Sequence, residues 1–151
     1  MPEVNQPLPL EGARNVRELG GYPTQNGRRT RQGVYLRGDG THALTAEDLD
    51  ALHQRGVSLV IDMRSPDEVA LSPFRFTEAA GVHYENIVMF DGMQSALFRG
   101  GMPESMAALY KGLLDNCRDK YSEIFRLFLS NPGISLFHCT AGKDRTGVVA
   151  M

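Results

Sequence analysis

The feature that most restricts the fold of this 151-residue chain is a short apolar run at 57–63, Val-Ser-Leu-Val-Ile-Asp-Met, directly after a well-marked helix. The run has the length and the β-branched content of a strand that is buried on both faces. The helix is predicted to begin after Thr45, which forms a capping box with Asp48, and to end at Gly56. A buried strand preceded by a helix indicates a sheet with helices packed against it.

The rest of the chain continues this alternation. Strands are predicted at 33–38, 82–90 and 134–138, and Asn26-Gly27 is a favoured two-residue hairpin turn. Two helices precede the last strand, because apolar residues recur there at helical spacing; they are Met106, Leu109, Tyr110, Leu113 and Leu114, then Tyr121, Ile124, Phe125 and Phe128. We therefore expect an α/β fold, a mostly parallel central sheet flanked by helices, in a single domain over 1–151.

Composition excludes several classes of protein. The hydrophobic share is 42% and the net charge is −2, which fits a globular chain and gives no basic surface for nucleic acid. The first residues lack the features of a signal peptide, and no apolar run approaches the roughly 18 residues of a membrane span. Two cysteines, Cys117 and Cys139, are too few for a disulfide framework or a structural zinc site. We expect a cytoplasmic protein without metal or cofactor, although secretion without a signal peptide remains open.

The stretch 138–147, His-Cys-Thr-Ala-Gly-Lys-Asp-Arg-Thr-Gly, indicates chemistry on a phosphate. Cys139 lies between a predicted strand and a predicted helix, where unpaired backbone N–H groups and nearby cations favour a thiolate. The same N–H groups suit a phosphate, and Arg145 can bind two phosphoryl oxygens. Cys139 is the predicted nucleophile. The predicted substrate-binding residues of this stretch are Thr140, Ala141, Gly142, Lys143 and Thr146.

Phosphoryl transfer to sulfur also needs a proton donor for the leaving oxygen and a base for the attacking water. Asp144 lies within the loop and is the first candidate. Asp91 follows a predicted strand and is the second, while Asp62 ends the neighbouring strand. Both Asp91 and Asp62 are also predicted to contact substrate. Thr146 can offer its hydroxyl to the sulfur when the phosphocysteine breaks down.

The stretch resembles the His-Cys-x5-Arg-Ser/Thr signature of the cysteine-dependent protein-tyrosine phosphatase superfamily. It is most similar to the bacterial and fungal branch whose loop reads His-Cys-x-Ala-Gly-Lys-Asp-Arg-Thr. Upstream segments also resemble that branch, from about residue 12 onward; they are "NVRELGGY" (15–22), "GVYLRGD" (33–39) and "VIDMRSPDEV" (60–69). The resemblance implies a nucleophilic Cys139, a phosphate-binding Arg145, a general acid at Asp144 and a substrate contact at Lys143. It further implies phosphotyrosine, phosphoserine/threonine or phosphoinositide substrates.

Two other functions stay open on the sequence alone. The helix predicted after Lys143 has only about two turns, whereas the resembled family continues with several helices. We therefore expect Met151 not to be a natural terminus and the C-terminal helices to be missing. A catalytically impaired fragment that binds a phosphorylated ligand is one alternative. A cysteine-based arsenate reductase is the other, although Cys117 would be the sole candidate for its resolving thiol.

Overall fold

The structure is a computed structural model that describes residues 4–75, 81–89 and 104–151. In chain order the elements are β1 (Arg17–Glu18), β2 (Tyr35–Gly38), α1 (Ala46–Arg55), β3 (Val57–Asp62), α2 (Pro66–Leu71), β4 (His83–Asn86), α3 (Met106–Asn116), α4 (Arg118–Ser130), β5 (Ile134–His138) and α5 (Asp144–Ala150). From β2 to β4 strands and helices alternate, and two consecutive helices precede the last strand, as the sequence predicts.

The strands form one sheet in the order β1-β2-β5-β3-β4. Strands β2, β5, β3 and β4 are parallel to one another, and only β1 at the edge is antiparallel. The predicted α/β fold with a mostly parallel sheet is thus confirmed. Because the four parallel strands share one direction, their carboxyl ends lie at the same edge of the sheet.

Helices cover both faces of the sheet. Side chains alternate along β3, so that Leu59 and Ile61 point into one core and Val60 into the other. The first core also contains Leu113, Ile124 and Val149 from α3, α4 and α5. The second core contains Leu52 of α1 together with Ala13, Val16 and Leu44 from the segments around it. The central strands are therefore buried on both sides, which explains why they are almost continuously apolar.

Helix α1 has the end signals that its sequence predicts. The Thr45 hydroxyl accepts a hydrogen bond from the Asp48 amide, and Asp48 accepts one from the Thr45 amide in return. Gly56 ends the helix with φ of 106°, in the left-handed region that favours glycine. Asp48 also accepts from the amides of Glu11 and Gly12, at 2.9 and 2.7 Å, and so links the N-terminal segment to α1.

The helices α3 and α4 also form where the apolar spacing predicts them. Leu113, Ile124 and Phe128 are buried, whereas Leu114 and Phe125 on the edge of the same faces are about half exposed. Helix α4 ends where the chain reaches Asn-Pro-Gly at 131–133, because proline cannot continue the backbone hydrogen bonding. In the described parts of the chain, no helix is both long and apolar enough to cross a membrane.

Two local predictions differ from the structure in their extent. The strand predicted at 82–90 is a regular strand over His83–Asn86. Beyond it the Ile87 and Met89 amides still bond to the carbonyls of Asp62 and Met63, and residue 90 lies outside the described residues. The hairpin turn at Asn26-Gly27 does form, but its loop has three residues. The Thr24 amide bonds to the Arg28 carbonyl, and Gly27 follows the turn with φ of 77°.

Helix α2 is an element that the hydrophobic pattern does not predict. It has six residues, which is too short to show helical periodicity. Its start is nevertheless marked in the sequence, because Ser65 and Glu68 form a capping box around Pro66 in the first turn.

Candidate active site

The candidate site lies where the parallel strands end. The register places Gly38 of β2 and Asp62 of β3 on either side of His138, the last residue of β5. Cys139 follows immediately, and the chain then forms a loop before α5 begins at Asp144. The sheet topology therefore brings the predicted nucleophile to the edge where ligands of such folds gather.

The loop is held from outside through its carbonyl groups. Three donors from earlier in the chain bind three successive carbonyl oxygens: the Gly40 amide binds that of Thr140 at 3.0 Å, Asn15 Nδ2 that of Ala141 at 2.9 Å, and Arg37 Nη2 that of Gly142 at 2.9 Å. Asn15 is in turn held by Asp39, whose carboxylate accepts from the Asn15 amide at 3.1 Å. The segments 15–17 and 37–40 are thus the supports of the loop.

Gly142 is required by this close packing. Its φ is 68°, in the region that side chains rarely adopt. A Cβ atom at this position would also lie 2.5 Å from the carbonyl oxygen of Gly38. The prediction that glycine relieves crowding in the loop is consistent with both observations.

The backbone N–H groups of the loop have no such partners. Over the described residues, no protein group accepts a hydrogen bond from the amides of residues 140–145. With the carbonyls bound on the outer side, these amides are available to an anion. Successive free backbone amides of this kind bind phosphate in proteins.

Cys139 lies at the base of the loop. Its side chain is 3% exposed, and the buried Thr146 hydroxyl donates to its sulfur at 3.0 Å. The ring of His138 is fully buried, and its Nδ1 donates to the Cys139 carbonyl at 3.1 Å. Through this hydrogen bond His138 braces the backbone of Cys139, the predicted nucleophile. Burial lowers the pKa of His138, which favours the neutral ring.

Arg145 is fixed beside the sulfur by Glu68. Its Nη1 and Nη2 atoms donate to the two carboxylate oxygens of Glu68 at 2.8 and 2.7 Å, a bidentate ion pair. Burial opposes the charge of Arg145, but Glu68 and the negative charge of a Cys139 thiolate keep its pKa above the ordinary value. The guanidinium thus stays charged and in one orientation next to Cys139.

Glu68 is a site residue that the sequence analysis missed. One of its oxygens also accepts from the Thr140 hydroxyl at 2.5 Å, and the other from the Ser65 amide at 2.7 Å. The hydrogen bonds from Arg145, foremost, hold the pKa of Glu68 well below its usual range. The only local signal for Glu68 was its capping box, which predicts a helix start and not a contact with a loop 77 residues away.

Asp144 lies at the outer rim of the loop. The Tyr110 hydroxyl donates to Asp144 Oδ1 at 2.7 Å, and Lys143 Nζ donates to the same oxygen at 2.9 Å. Burial acts to raise the pKa of Asp144, but the hydrogen bonds from Tyr110 and Lys143 outweigh it and lower the pKa. Asp144 therefore lies where the loop meets α5, and these two hydrogen bonds favour its carboxylate form.

Asp62 belongs to the interior and not to the loop. Its side chain is fully buried, forms a bidentate pair with Arg64 at 2.8 and 3.0 Å, and accepts from the Tyr84 hydroxyl at 2.9 Å. Burial opposes ionisation, but the hydrogen bonds from Arg64 hold the pKa of Asp62 below its ordinary value. These partners occupy both oxygens of Asp62 in the structure, and its predicted contact with substrate stays a prediction.

The other predicted residues divide by position. Thr140, Ala141, Gly142, Lys143 and Thr146 all lie in or directly after the loop. Asp91, the second candidate for the acid, lies outside the described residues. Within the described ranges, no three His, Cys, Asp or Glu side chains are grouped in a way that could hold a metal ion.

Comparison with known proteins agrees with this geometry. A model of the tyrosine phosphatase family matches residues 8–151. A protein of Cupriavidus necator named "Putative tyrosine-protein phosphatase" is 34% identical over 151 residues, which cover 95% of this chain and 55% of the relative. A tyrosine-protein phosphatase of Nostoc commune is 36% identical over 110 residues, which cover 71% of this chain and 37% of the relative.

The chain thus spans about half the length, or less, of the curated relatives that it matches. The family match nevertheless includes the loop, both of its supporting segments and Glu68. The resemblance seen in the sequence is confirmed: this chain belongs to the tyrosine phosphatase family.

Proposed function

We propose that the protein hydrolyses phosphomonoesters through a phosphocysteine intermediate. The observation that carries the proposal is the position of Cys139 beneath six unpartnered loop amides, with the Arg145 guanidinium fixed at its side. A phosphoryl group on this loop would receive backbone hydrogen bonds on its oxygens and the positive charge of Arg145. Electrostatic stabilisation of this kind is commonly the largest contribution to catalysis.

The reaction has two balanced steps. The Cys139 thiolate attacks phosphorus and forms the S–P bond while the P–O bond to the leaving group breaks, and the leaving oxygen takes a proton from Asp144. A water molecule then attacks phosphorus, gives a proton to Asp144 and releases inorganic phosphate as the S–P bond breaks. The Thr146 hydroxyl, 3.0 Å from the sulfur, stabilises the departing thiolate.

Phosphotyrosine is the substrate class that we propose first, since the relatives are named as tyrosine-protein phosphatases. Phosphoserine/threonine and phosphoinositides are proposed as further substrates. Lys143 supports this breadth, because its side chain is 66% exposed at the rim of the loop and can contact the part of a substrate beyond the phosphate.

Replacement of the nucleophile tests the proposal. Cys139→Ser should abolish phosphate release from a phosphotyrosine peptide, because a serine hydroxyl is not ionised at neutral pH. Cys117→Ser is the matched control: its thiol is buried between α3 and α4 and bonds to the Met89 carbonyl at 2.8 Å, so it should retain turnover. Equal phosphate release by the wild type and Cys139→Ser would refute the mechanism.

A further inference from the structure

The contact between helix α3 and the catalytic loop has a specific geometry. The ring of Tyr110 packs against the core that α3 and α4 share, and its hydroxyl reaches Asp144 Oδ1 at 2.7 Å. Lys143 Nζ donates to the same oxygen at 2.9 Å. No described residue binds Asp144 Oδ2.

This arrangement distinguishes the two carboxyl oxygens. Oδ1 is occupied by two donors, so a proton on that oxygen would displace one of them. Oδ2 is the oxygen that can carry a proton toward a leaving group or accept one from water. The hydrogen bonds from Tyr110 and Lys143 therefore decide which carboxyl oxygen of Asp144 is left for proton transfer.

We propose that Tyr110 is a positioning residue that orients Asp144 for proton transfer on the loop. This inference rests on the proposed function and assigns a role to a residue from a different helix, 34 positions away in the chain. Among the described residues, the Tyr110 hydroxyl has its hydrogen bond with Asp144 and none with Cys139, so we infer that it acts through Asp144.

The hydroxyl of Tyr110 is suited to remain a donor. Its hydrogen bond to Asp144 raises its pKa above the ordinary phenol value, so it stays protonated at neutral pH. The charged groups around the pair are Lys143 and Arg145 beside Asp144, and Arg37 of β2 facing Tyr110. All three are cations, so Tyr110 is the neutral donor of the group and can be removed without changing the net charge.

Direct titration of Asp144 tests the contact without any need for turnover. Carboxyl carbon NMR of the chain, with the resonance assigned through Asp144→Asn, should show Asp144 titrating about 0.5–1 pH unit higher in Tyr110→Phe than in the wild type. Tyr121→Phe is the matched control, since the Tyr121 hydroxyl is buried without a partner in the described chain. An unshifted Asp144 in Tyr110→Phe would overturn the proposal.

Kinetics test the consequence for proton transfer. Tyr110→Phe should lower kcat/KM about 10-fold for phenyl phosphate, whose leaving group needs a proton, and less than about 2-fold for 4-nitrophenyl phosphate. The high-pH limb of the phenyl phosphate profile should also move upward. Equal losses on both substrates, with no movement of the limb, would contradict positioning and indicate a structural effect.

The two readouts separate this inference from the function on which it rests. If the wild-type chain hydrolyses neither ester but Asp144 titrates higher in Tyr110→Phe, the phosphatase proposal is contradicted. The contact between Tyr110 and Asp144 is then still supported. Turnover by the wild type without any NMR shift would contradict the role of Tyr110 alone.

Discussion

Glu68 shows how one side chain can stabilise both a helix and the loop after Cys139. It closes the capping box of α2 through Ser65 and holds both terminal nitrogens of Arg145. Its exchange for glutamine separates these roles, because glutamine also serves at this position of a capping box but carries no charge.

We expect Glu68→Gln to lower kcat/KM for a phosphotyrosine peptide about 10- to 100-fold, the value of a charge-assisted hydrogen bond that fixes Arg145. Asp67→Asn is the control, since Asp67 is an exposed acid in the same helical turn. Steady-state kinetics of the two variants at neutral pH is the measurement. Matching rates would show that Arg145 needs no carboxylate to hold its orientation.

Asp48 joins helix α1 to the N-terminal segment. Asp48→Ala removes the acceptor of three backbone amides, those of Thr45, Glu11 and Gly12. We expect the free energy of unfolding in urea to fall by about 2–4 kcal/mol. Asp50→Ala, an exposed change on the same helix, should stay within about 0.5 kcal/mol of the wild type. A similar value for both variants would show that the link contributes little.

The elements that could be predicted from sequence are those whose start, end or apolar periodicity is visible in the local sequence. Helix α1 was predicted from Thr45, Asp48 and Gly56, and the central strand from its apolar run. The loop was predicted because its functional groups are contiguous in the chain. Contacts that depend on tertiary structure could not be found this way. Glu68 meets Arg145 over 77 positions and Asn15 meets Ala141 over 126, and no local pattern encodes either distance.

The whole molecule should lose stability in acid in two stages. The pKa of buried His138 lies below its ordinary value of 6.5, so the unfolded chain binds a proton that the folded chain does not. Stability is then lost as the pH falls below about 6.5. Asp48, Asp62 and Glu68 also have lowered pKa values, so their contribution is present above about pH 4 and is lost below it.

Urea denaturation between pH 7 and pH 3 measures both stages. His138→Asn, whose side-chain amide can still donate to the Cys139 carbonyl, should flatten the curve between pH 7 and pH 5 and leave the lower stage intact. A wild-type chain with constant stability over pH 7 to 5 would show that His138 does not control the first stage.

The hydrogen bond between Asn15 and Ala141 joins parts of the chain that are 126 residues apart. Contacts of such large sequence separation form late in folding, because a long segment must first be confined. A chain in which only the helices had formed would therefore still lack the shape of the loop. Enzymatic turnover would then require the complete fold, and misfolded molecules with native-like helical content would show no activity.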